Sequence, residues 1–231
     1  MKEKVKIVVV LVVILFIFLG IFFVGKKVSL NNYLNKTNKY SNKINYTTGI
    51  TLNIESLDKQ SKIEYTIART KDIKNIIISK YDDEELTSSI NKYLVKENGK
   101  TKCYTKDSSS NKVSCDAKED FNVDYKKLKK NIIKIKKVDN EVINKVSYKK
   151  YTVSMKKSDA YNLIYDKDIM NEKNLNGTVD VQILVDKSTN FIYEIDYVIN
   201  NLNSDSNNKI KYSVQINNFD FNNNNEINLP F

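Results

Sequence analysis

Histidine and tryptophan are absent from this chain of 231 residues, and arginine occurs once, as Arg69. Without histidine the chain cannot form Ser-His or Cys-His nucleophile pairs, and it lacks the commonest metal ligand. Catalysis would have to rest on carboxylates, lysine or tyrosine alone, and no nucleophile motif is present. We therefore predict a protein that is not an enzyme, with no catalytic residue, no metal site and no cofactor.

Cysteine is scarce as well, because Cys103 and Cys115 are the only two in the chain. A structural zinc site needs four ligands, and a redox pair usually has the spacing Cys-x-x-Cys. Two buried thiols in a cytosolic domain are the alternative, but the hydrophilic segment "CYTKDSSSNKVSC" disfavours burial of both. A disulfide across a strand–loop–strand is expected if the domain lies outside the cell. We predict that disulfide.

The charge balance is mildly basic once the first segment is set aside. Residues 1–27 hold five lysines and one glutamate, so the rest of the chain holds 33 of the 38 basic and 27 of the 28 acidic residues, a net charge of +6. This excess is too small to favour nucleic-acid binding, and we predict no nucleic-acid partner. Non-specific association with an anionic membrane surface or wall polymer fits it better.

The longest apolar run, residues 7–25, contains no charged residue. As a helix it would span roughly 28 Å, about one hydrocarbon core. A cleaved signal peptide is the alternative. The run is longer than a typical signal-peptide core, no small-x-small cleavage site follows, and Lys26 and Lys27 come at once. We predict an uncleaved single-pass membrane anchor over residues 1–27.

The orientation of this anchor does not follow from its flanking charges. Lysines lie on both sides of the apolar run, so the positive-inside rule does not decide. The predicted disulfide decides instead, because disulfides persist outside the cytosol. We predict a cell-membrane protein whose C-terminal domain is extracytoplasmic.

Alternating apolar residues predict antiparallel strands through most of the remaining chain. The segments "GITLNIES" and "SKIEYTIART" form a first hairpin, and further strands follow from Ile73 onward. The clearest hairpin joins "GTVDVQILVDK" to "NFIYEIDYVIN", where Phe191, Tyr193, Ile195, Tyr197 and Ile199 alternate with polar residues. A last strand lies in "KIKYSVQINNF".

Two segments have helical periodicity instead. In "DYKKLKKNIIKIKKV", Tyr125, Leu128, Ile132 and Ile135 recur every three or four residues, and Asp124 can cap the start. The lysine-rich side could lie on an anionic membrane, but the few large apolar residues favour a helix that covers a sheet. The segment "SDAYNLIYDKDI" predicts a second short helix with Ser158 as its N-cap and with Ala160, Leu163 and Ile164 directed inward.

These elements predict an α+β fold, mostly antiparallel β, in which a few helices cover one sheet. We divide the chain into the anchor at 1–27, a polar stalk or short helix at 28–46, and a β-rich extracytoplasmic domain at 47–231.

The order of elements and the last third of the chain resemble the LolA-like superfamily of bacterial envelope proteins, which includes the LppX/LprG lipoprotein carriers. The turn motif "D-x-x-T-x-x-I" matches Asp186, Thr189 and Ile192, and an ending "I-x-x-P" matches Ile227 and Pro230. The resemblance implies a strongly curved sheet, or half-barrel, with helices on its concave side. It also implies binding of lipid or another hydrophobic envelope ligand, and it assigns no role to Arg69.

One stripe of aliphatic and tyrosine residues on the inner strand faces supplies the candidate ligand-cavity residues. The stripe forms either a filled core beneath the helices or the lining of a cavity for a lipid-like ligand. In the first case the domain would be a non-enzymatic adaptor or scaffold that contacts an envelope protein. The candidates are Ile50, Leu52, Ile54, Ile63, Tyr65, Ile67, Val181, Ile183, Tyr193, Ile195, Tyr197, Tyr212 and Val214.

Overall fold

The computed structural model describes residues 25–40, 45–106, 112–115, 123–164, 175–201, 209–221, 227 and 229. Eleven strands lie in this part of the chain: β1 Tyr46–Glu55, β2 Gln60–Arg69, β3 Ile73–Asp82, β4 Glu85–Glu97, β5 Lys100–Lys106, β6 Lys112–Cys115, β7 Lys134–Ile143, β8 Val146–Lys156, β9 Thr178–Asp186, β10 Ile192–Ile199 and β11 Lys211–Phe219. The helices are α1 at residues 25–40, α2 Tyr125–Asn131 and α3 Lys157–Tyr161.

All eleven strands belong to one open sheet in the order β6-β5-β4-β3-β2-β1-β11-β10-β9-β8-β7. Every neighbouring pair is antiparallel, so the predicted α+β class with a mostly antiparallel sheet is confirmed. The first and last strands, β1 and β11, pair at its centre. The edges are β6 and β7, and β7 carries several lysines, which discourage pairing with another chain.

One face of the sheet, which we call the inner face, is apolar and lies beneath the helices. Side chains along a strand point alternately to the two faces of the sheet, and in β1 every second residue from Tyr46 to Leu52 is buried on the inner face. The helices contribute Leu30, Leu34 and Leu128 to the same cluster of buried side chains. This cluster extends from β8 to β5 and forms the main core.

Helix α1 includes most of the segment that the sequence analysis describes as a polar stalk or short helix. It packs on the inner face, with Leu30 and Leu34 buried. Thr37 Oγ1 accepts a hydrogen bond from the Ile192 backbone N–H at 3.0 Å, and the Lys36 ammonium donates to the Thr189 carbonyl at 2.9 Å. Helix α1 is therefore part of the folded domain.

Within the described residues, none of the helices has both the length and the apolar composition to cross a membrane. The predicted membrane span at residues 7–25 lies outside the described residues except for Gly25.

The lysine-rich helix is shorter than the sequence predicts. Asp124 caps α2 as expected, accepting from the Lys126 and Lys127 backbone N–H groups at 3.0 Å each. The helix ends at Asn131, and Ile132 is already extended. The prediction that Ile135 continues the helix is wrong, because "KIKKV" also alternates and pairs with β8 as the edge strand β7.

Helix α3 lies at the start of the predicted segment 158–169 but ends at Tyr161, so the prediction that the helix continues through Ile164 is wrong. Residues 165–169 of that prediction lie outside the described residues. Ala160, Leu163 and Ile164 are buried, as predicted. The N-cap is Lys156, which makes no side-chain capping bond, and Ser158 lies inside the helix. The cap prediction is wrong because β8 runs directly into the helix and sets its first residue.

A β-bulge breaks the alternation predicted for β10. The pairing of β10 with β9 shifts between Ile192 and Glu194. Ile192 is therefore buried, whereas Tyr193 is partly exposed and lies against Tyr148, with ring centroids 4.7 Å apart. The prediction that Tyr193 shares a face with Ile195 is wrong, since a bulge shifts the phase of the neighbouring residues. The Phe191 ring lies against Tyr40 of α1, with ring centroids 6.1 Å apart.

The turn between β9 and β10 is held by one carboxylate. Asp186 Oδ1 accepts from the Ser188 backbone N–H and hydroxyl, both at 2.7 Å, and Oδ2 accepts from the Thr189 hydroxyl at 3.1 Å. This gives the "D-x-x-T" motif a structural reason, because Asp side chains bond the backbone two residues on. Burial alone would raise the pKa of Asp186, but the hydrogen bonds from Ser188 and Thr189 hold it below its ordinary value of 3.8.

We expect Asp186→Ala to lower the free energy of unfolding by about 1 kcal/mol at neutral pH, a value reduced because the carboxylate is partly exposed. Because the folded pKa is lowered, this stabilisation is present above pH 3.8 and is lost as pH falls through the folded value. Denaturation of both proteins at neutral and strongly acidic pH measures it. Asp186→Asn keeps one acceptor oxygen and should lose less. A difference that is constant with pH would contradict the assignment.

Candidate functional site: the inner face of the sheet

The structure brings eleven of the thirteen predicted cavity residues together in the main core cluster. They come from β2, β1, β11, β10 and β9, which are five consecutive strands around the sheet centre. These eleven are Ile50, Leu52, Ile63, Tyr65, Ile67, Val181, Ile183, Ile195, Tyr197, Tyr212 and Val214. Ile54 is partly buried and packs against the cluster, whereas Tyr193 lies apart from it beside Tyr148.

Tyrosines give this apolar face a set of hydroxyl groups. The Tyr197 hydroxyl donates to the Ala160 carbonyl of α3 at 2.7 Å. The Tyr161 and Tyr212 rings lie 5.2 Å apart between α3 and β11. Burial raises the pKa of Tyr197 well above its ordinary value of 10.0, so the hydroxyl stays neutral at physiological pH. The face beneath α3 is therefore apolar, with neutral hydrogen-bonding groups.

A buried polar network lies at one end of the inner face and is centred on Asn218. Its Oδ1 accepts from the Thr48 hydroxyl at 2.9 Å, and its Nδ2 donates to the Tyr125 hydroxyl at 2.7 Å and to the Ile192 carbonyl at 3.0 Å. Asn218 is fully buried. The network joins β1, β10, β11 and α2, so it fixes where the lysine-rich helix begins.

Arg69 extends this network. It is 7 % exposed, and its guanidinium lies 4.5 Å from the centre of the Tyr46 ring. Its Nη2 is 3.5 Å from the Thr48 hydroxyl. Among the described residues it is the one buried side chain with a permanent charge. The inner face therefore has an apolar centre and a cationic end.

Burial also raises the pKa of the Tyr125 hydroxyl, although Asn218 and Arg69 both act to lower it. Tyr125 is therefore a neutral phenol at physiological pH. A buried arginine that lies against an aromatic ring, here Tyr46, and beside a hydroxyl group, here Thr48, is suited to bind an anionic group that approaches this end of the inner face.

Two surface depressions are lined by described residues, and neither lies between the sheet and the helices. One, of about 40 Å³, lies beside Tyr46 and Arg69 at the cationic end. The other, of about 370 Å³, lies along β4 and β5 near Asn91 and Thr105. The smaller depression is also lined by Asp220, so an acidic and a basic side chain share it.

The outer face carries the carboxylates that could serve acid–base chemistry. Burial raises the pKa of both Glu194 and Asp196, which follow one another on the outer face of β10. Asp180 pairs with Lys136 instead. The described part of the chain holds no cluster of three potential metal-ligating residues.

Sequence reasoning missed the polar network and Arg69. A signal was present, because Arg69 continues the alternation of Ile63, Tyr65 and Ile67 in β2 and therefore points to the inner face. Thr48 and Asn218 likewise continue the alternation of their strands. Their pairing with Tyr125 depends on where α2 begins, which local patterns do not specify.

No protein-family model and no curated protein matches this chain. Solved structures do. LprF from Mycobacterium bovis is similar over 87 % of this chain and 96 % of LprF, with a TM-score of 0.49 and 9 % identity. The Mycobacterium tuberculosis lipoprotein LppX is similar over 86 % of this chain and 98 % of LppX, with a TM-score of 0.49 and 8 % identity.

A third similar structure is MucB in complex with MucA, which matches 81 % of this chain and 55 % of MucB with a TM-score of 0.35 and 12 % identity. LprF and LppX, which belong to the kind of lipoprotein named in the sequence analysis, are thus among the solved structures to which this chain is similar. At these identities the likeness concerns the fold alone.

Proposed function

We propose that this protein is a membrane-anchored extracytoplasmic binding protein that holds a lipid or another amphiphile between the inner face and its helices. The observation that carries the proposal is the composition of the inner face: an apolar centre with neutral tyrosine hydroxyls and one buried cationic end at Arg69. Small-molecule sites combine a mostly apolar lining with a few polar groups that fix orientation.

Helices α2 and α3, which cover part of this face, are suited to move away from the sheet. Helices α2 and α3 have 7 and 5 residues. Isolated helices need about 12–15 residues to be stable in water, so these two depend on their contacts with the sheet. Two buried hydrogen bonds of 2.7 Å join these helices to the sheet, from Asn218 to the Tyr125 hydroxyl of α2 and from the Tyr197 hydroxyl to the Ala160 carbonyl of α3. An acyl chain can replace their apolar contacts without breaking a strand pair.

The absence of tryptophan allows a direct test with a single fluorescent probe. Ile54→Trp places the probe on the inner face, where Ile54 packs against the core cluster. We expect a fatty acid with brominated acyl carbons to quench this tryptophan in the full chain held in phosphatidylcholine nanodiscs. Quenching should saturate and should reverse when unbrominated fatty acid is added.

The matched control is Asn53→Trp, one residue earlier on the outer face of the same strand. It should show only the weak quenching caused by fatty acid dissolved in the bilayer. Equal quenching at the two positions, or quenching at Ile54→Trp that never saturates, would show partition into lipid rather than binding. No quenching at either position would contradict the proposal that the inner face binds a ligand.

The second candidate is an adaptor whose inner face is a filled core and which contacts an envelope protein. The observation that favours it is packing, because Leu52, Ile67 and Ile183 are fully buried against their neighbours. The same experiment separates the two functions, since a filled core leaves the tryptophan at position 54 unquenched.

A further inference from the structure

The segment that joins α2 to β7 has a one-sided charge pattern. Between Asp124 and Asp139 it contains seven lysines and no acidic residue. Lys126 and Lys130 lie four residues apart on α2, so they share one side of the helix, and both are exposed. Lys134 follows at the start of β7 and is also exposed. Lys134 pairs with Ser154 on the outer face of the sheet, whereas α2 lies on the inner face. We call Lys126, Lys130, Lys134 and Ile133, which lie on both sides of this sheet edge, the lysine face.

Within the part of the chain that the structure describes, no acidic side chain forms an ion pair with the lysine face. Two of its sequence neighbours have acidic partners, since Lys136 pairs with Asp180 and Lys137 pairs with Asp139. Its own three lysines make neither an ion pair nor a side-chain hydrogen bond with any described residue. Their positive charge is therefore available to an external anion.

The same face exposes an apolar side chain. Ile133 is 50 % exposed although it lies between the buried Ile132 and a strand. Its backbone N–H donates to the Ser154 carbonyl of β8 at 2.9 Å, which fixes it at the sheet edge. An exposed isoleucine among lysines is the composition of surfaces that insert shallowly into anionic bilayers.

The chain enters the domain at this same edge. The described part of helix α1 starts at residue 25, the last residue of the apolar run at 7–25. The Ser29 hydroxyl lies 3.0 Å from the Tyr151 hydroxyl of β8. Tyr151 and Ser154 are three residues apart on one strand, or about 10 Å. The start of α1, with the exposed Lys27 and Val28, therefore lies near Ile133.

We propose that the lysine face is a membrane-docking surface that lies on anionic phospholipid at the point where the chain leaves the bilayer. The inference rests on the proposed membrane anchor, because the anchor brings this edge to the lipid headgroups. Lysines near an anionic bilayer each favour the bound state roughly fivefold. Three of them together shift the ratio of docked to undocked domain on the order of a hundredfold.

The test again uses the absence of tryptophan. In the full chain, Ile133→Trp supplies the only tryptophan at the centre of the lysine face. The protein is placed in nanodiscs of phosphatidylcholine, or of phosphatidylcholine mixed with phosphatidylglycerol, both containing lipid with brominated acyl chains. We expect a blue-shifted, quenched emission in the phosphatidylglycerol nanodiscs and a solvent-like emission in the neutral ones.

Two controls define the surface. Val142→Trp probes the far end of the same edge strand, where the side chain is 68 % exposed and nine residues, or about 30 Å, from position 133. It should remain unquenched in both nanodiscs. Adding Lys126→Gln, Lys130→Gln and Lys134→Gln to Ile133→Trp should abolish the difference, whereas the same change at the exposed Lys96, Lys100 and Lys106 should preserve it.

Failure of the anchor and failure of the docking surface are distinguishable. A chain that does not co-purify with nanodiscs of either composition lacks the anchor. A chain that co-purifies but shows equal emission in both compositions, or equal quenching at positions 133 and 142, overturns the docking surface alone. A blue shift caused by soluble polyphosphate in neutral nanodiscs would assign the lysine face to a polyanion and would also overturn it.

Discussion

Asn218→Leu should lower the free energy of unfolding by about 3–5 kcal/mol, the largest effect on stability that we expect. The substitution keeps the number and branching of the side-chain heavy atoms but removes the amide that bonds Thr48, Tyr125 and the Ile192 carbonyl. Each buried group left without its partner costs about 1–3 kcal/mol. Urea denaturation of the full chain in nanodiscs, followed by the near-ultraviolet signal of its tyrosines, measures the loss.

The control for this change is Asn217→Leu, the neighbouring position on the outer face of β11. It should alter stability by about 0.5 kcal/mol or less. The double variant Asn218→Leu with Tyr125→Phe should lose less than the sum of the two single changes, because the second removes one of the groups that the first leaves unsatisfied. Additive losses would show that the two side chains do not act as a unit.

Removing the disulfide should lower stability by about 3 kcal/mol. Cys103 and Cys115 lie directly opposite each other on β5 and β6, with Cα atoms 5.0 Å apart, and the predicted bond is present. They close a loop with a sequence separation of 12, for which the chain-entropy relation gives this value. Cys103→Ala with Cys115→Ala tests it by the same denaturation, and β6, which pairs only with β5, should lose its strand pairing.

Reductant provides the control for the double variant, because it opens the bond while both sulfur atoms remain. The reduced protein should lose as much stability as the variant, and an unchanged midpoint of denaturation would contradict the prediction.

The same cysteine pair also reports the side of the membrane on which the domain lies. Thiol labelling of intact cells should modify Cys103 and Cys115 only after reduction, and labelling before reduction would contradict the proposed extracytoplasmic placement.

The strands were predictable wherever one face of the strand is buried and the other faces solvent, as in β2 and β9. Alternation sets both the strand and its phase there, because a slip of one residue would expose the apolar set. The same logic failed at Tyr193, since a bulge has no local signature in "STNFIYEID". It also failed at Ile135, where apolar residues at helical spacing in "IIKIKKV" also fit a strand.

The site was predictable in its apolar part and not in its polar part. The alternating pattern of their strands predicts that residues such as Val181 and Tyr212 face the core. Asn218 and Tyr125 do not, because their bond depends on packing a helix from the middle of the chain onto its last strand, 93 residues away. Arg69 could have been placed by phase, but its stacking on Tyr46 depends on the pairing of β1 with β2.

The central pairing of β1 with β11 has a consequence for how the chain reaches its native state. Thr48 and Asn218 are 170 residues apart in sequence, whereas every other neighbour in the sheet is the next strand along the chain. The two halves of the sheet can therefore form locally as the chain emerges, but joining them requires the closure of one very long loop. During synthesis β1 remains an unpaired edge until Phe219 has emerged, so the domain becomes cooperative only when its last strand arrives.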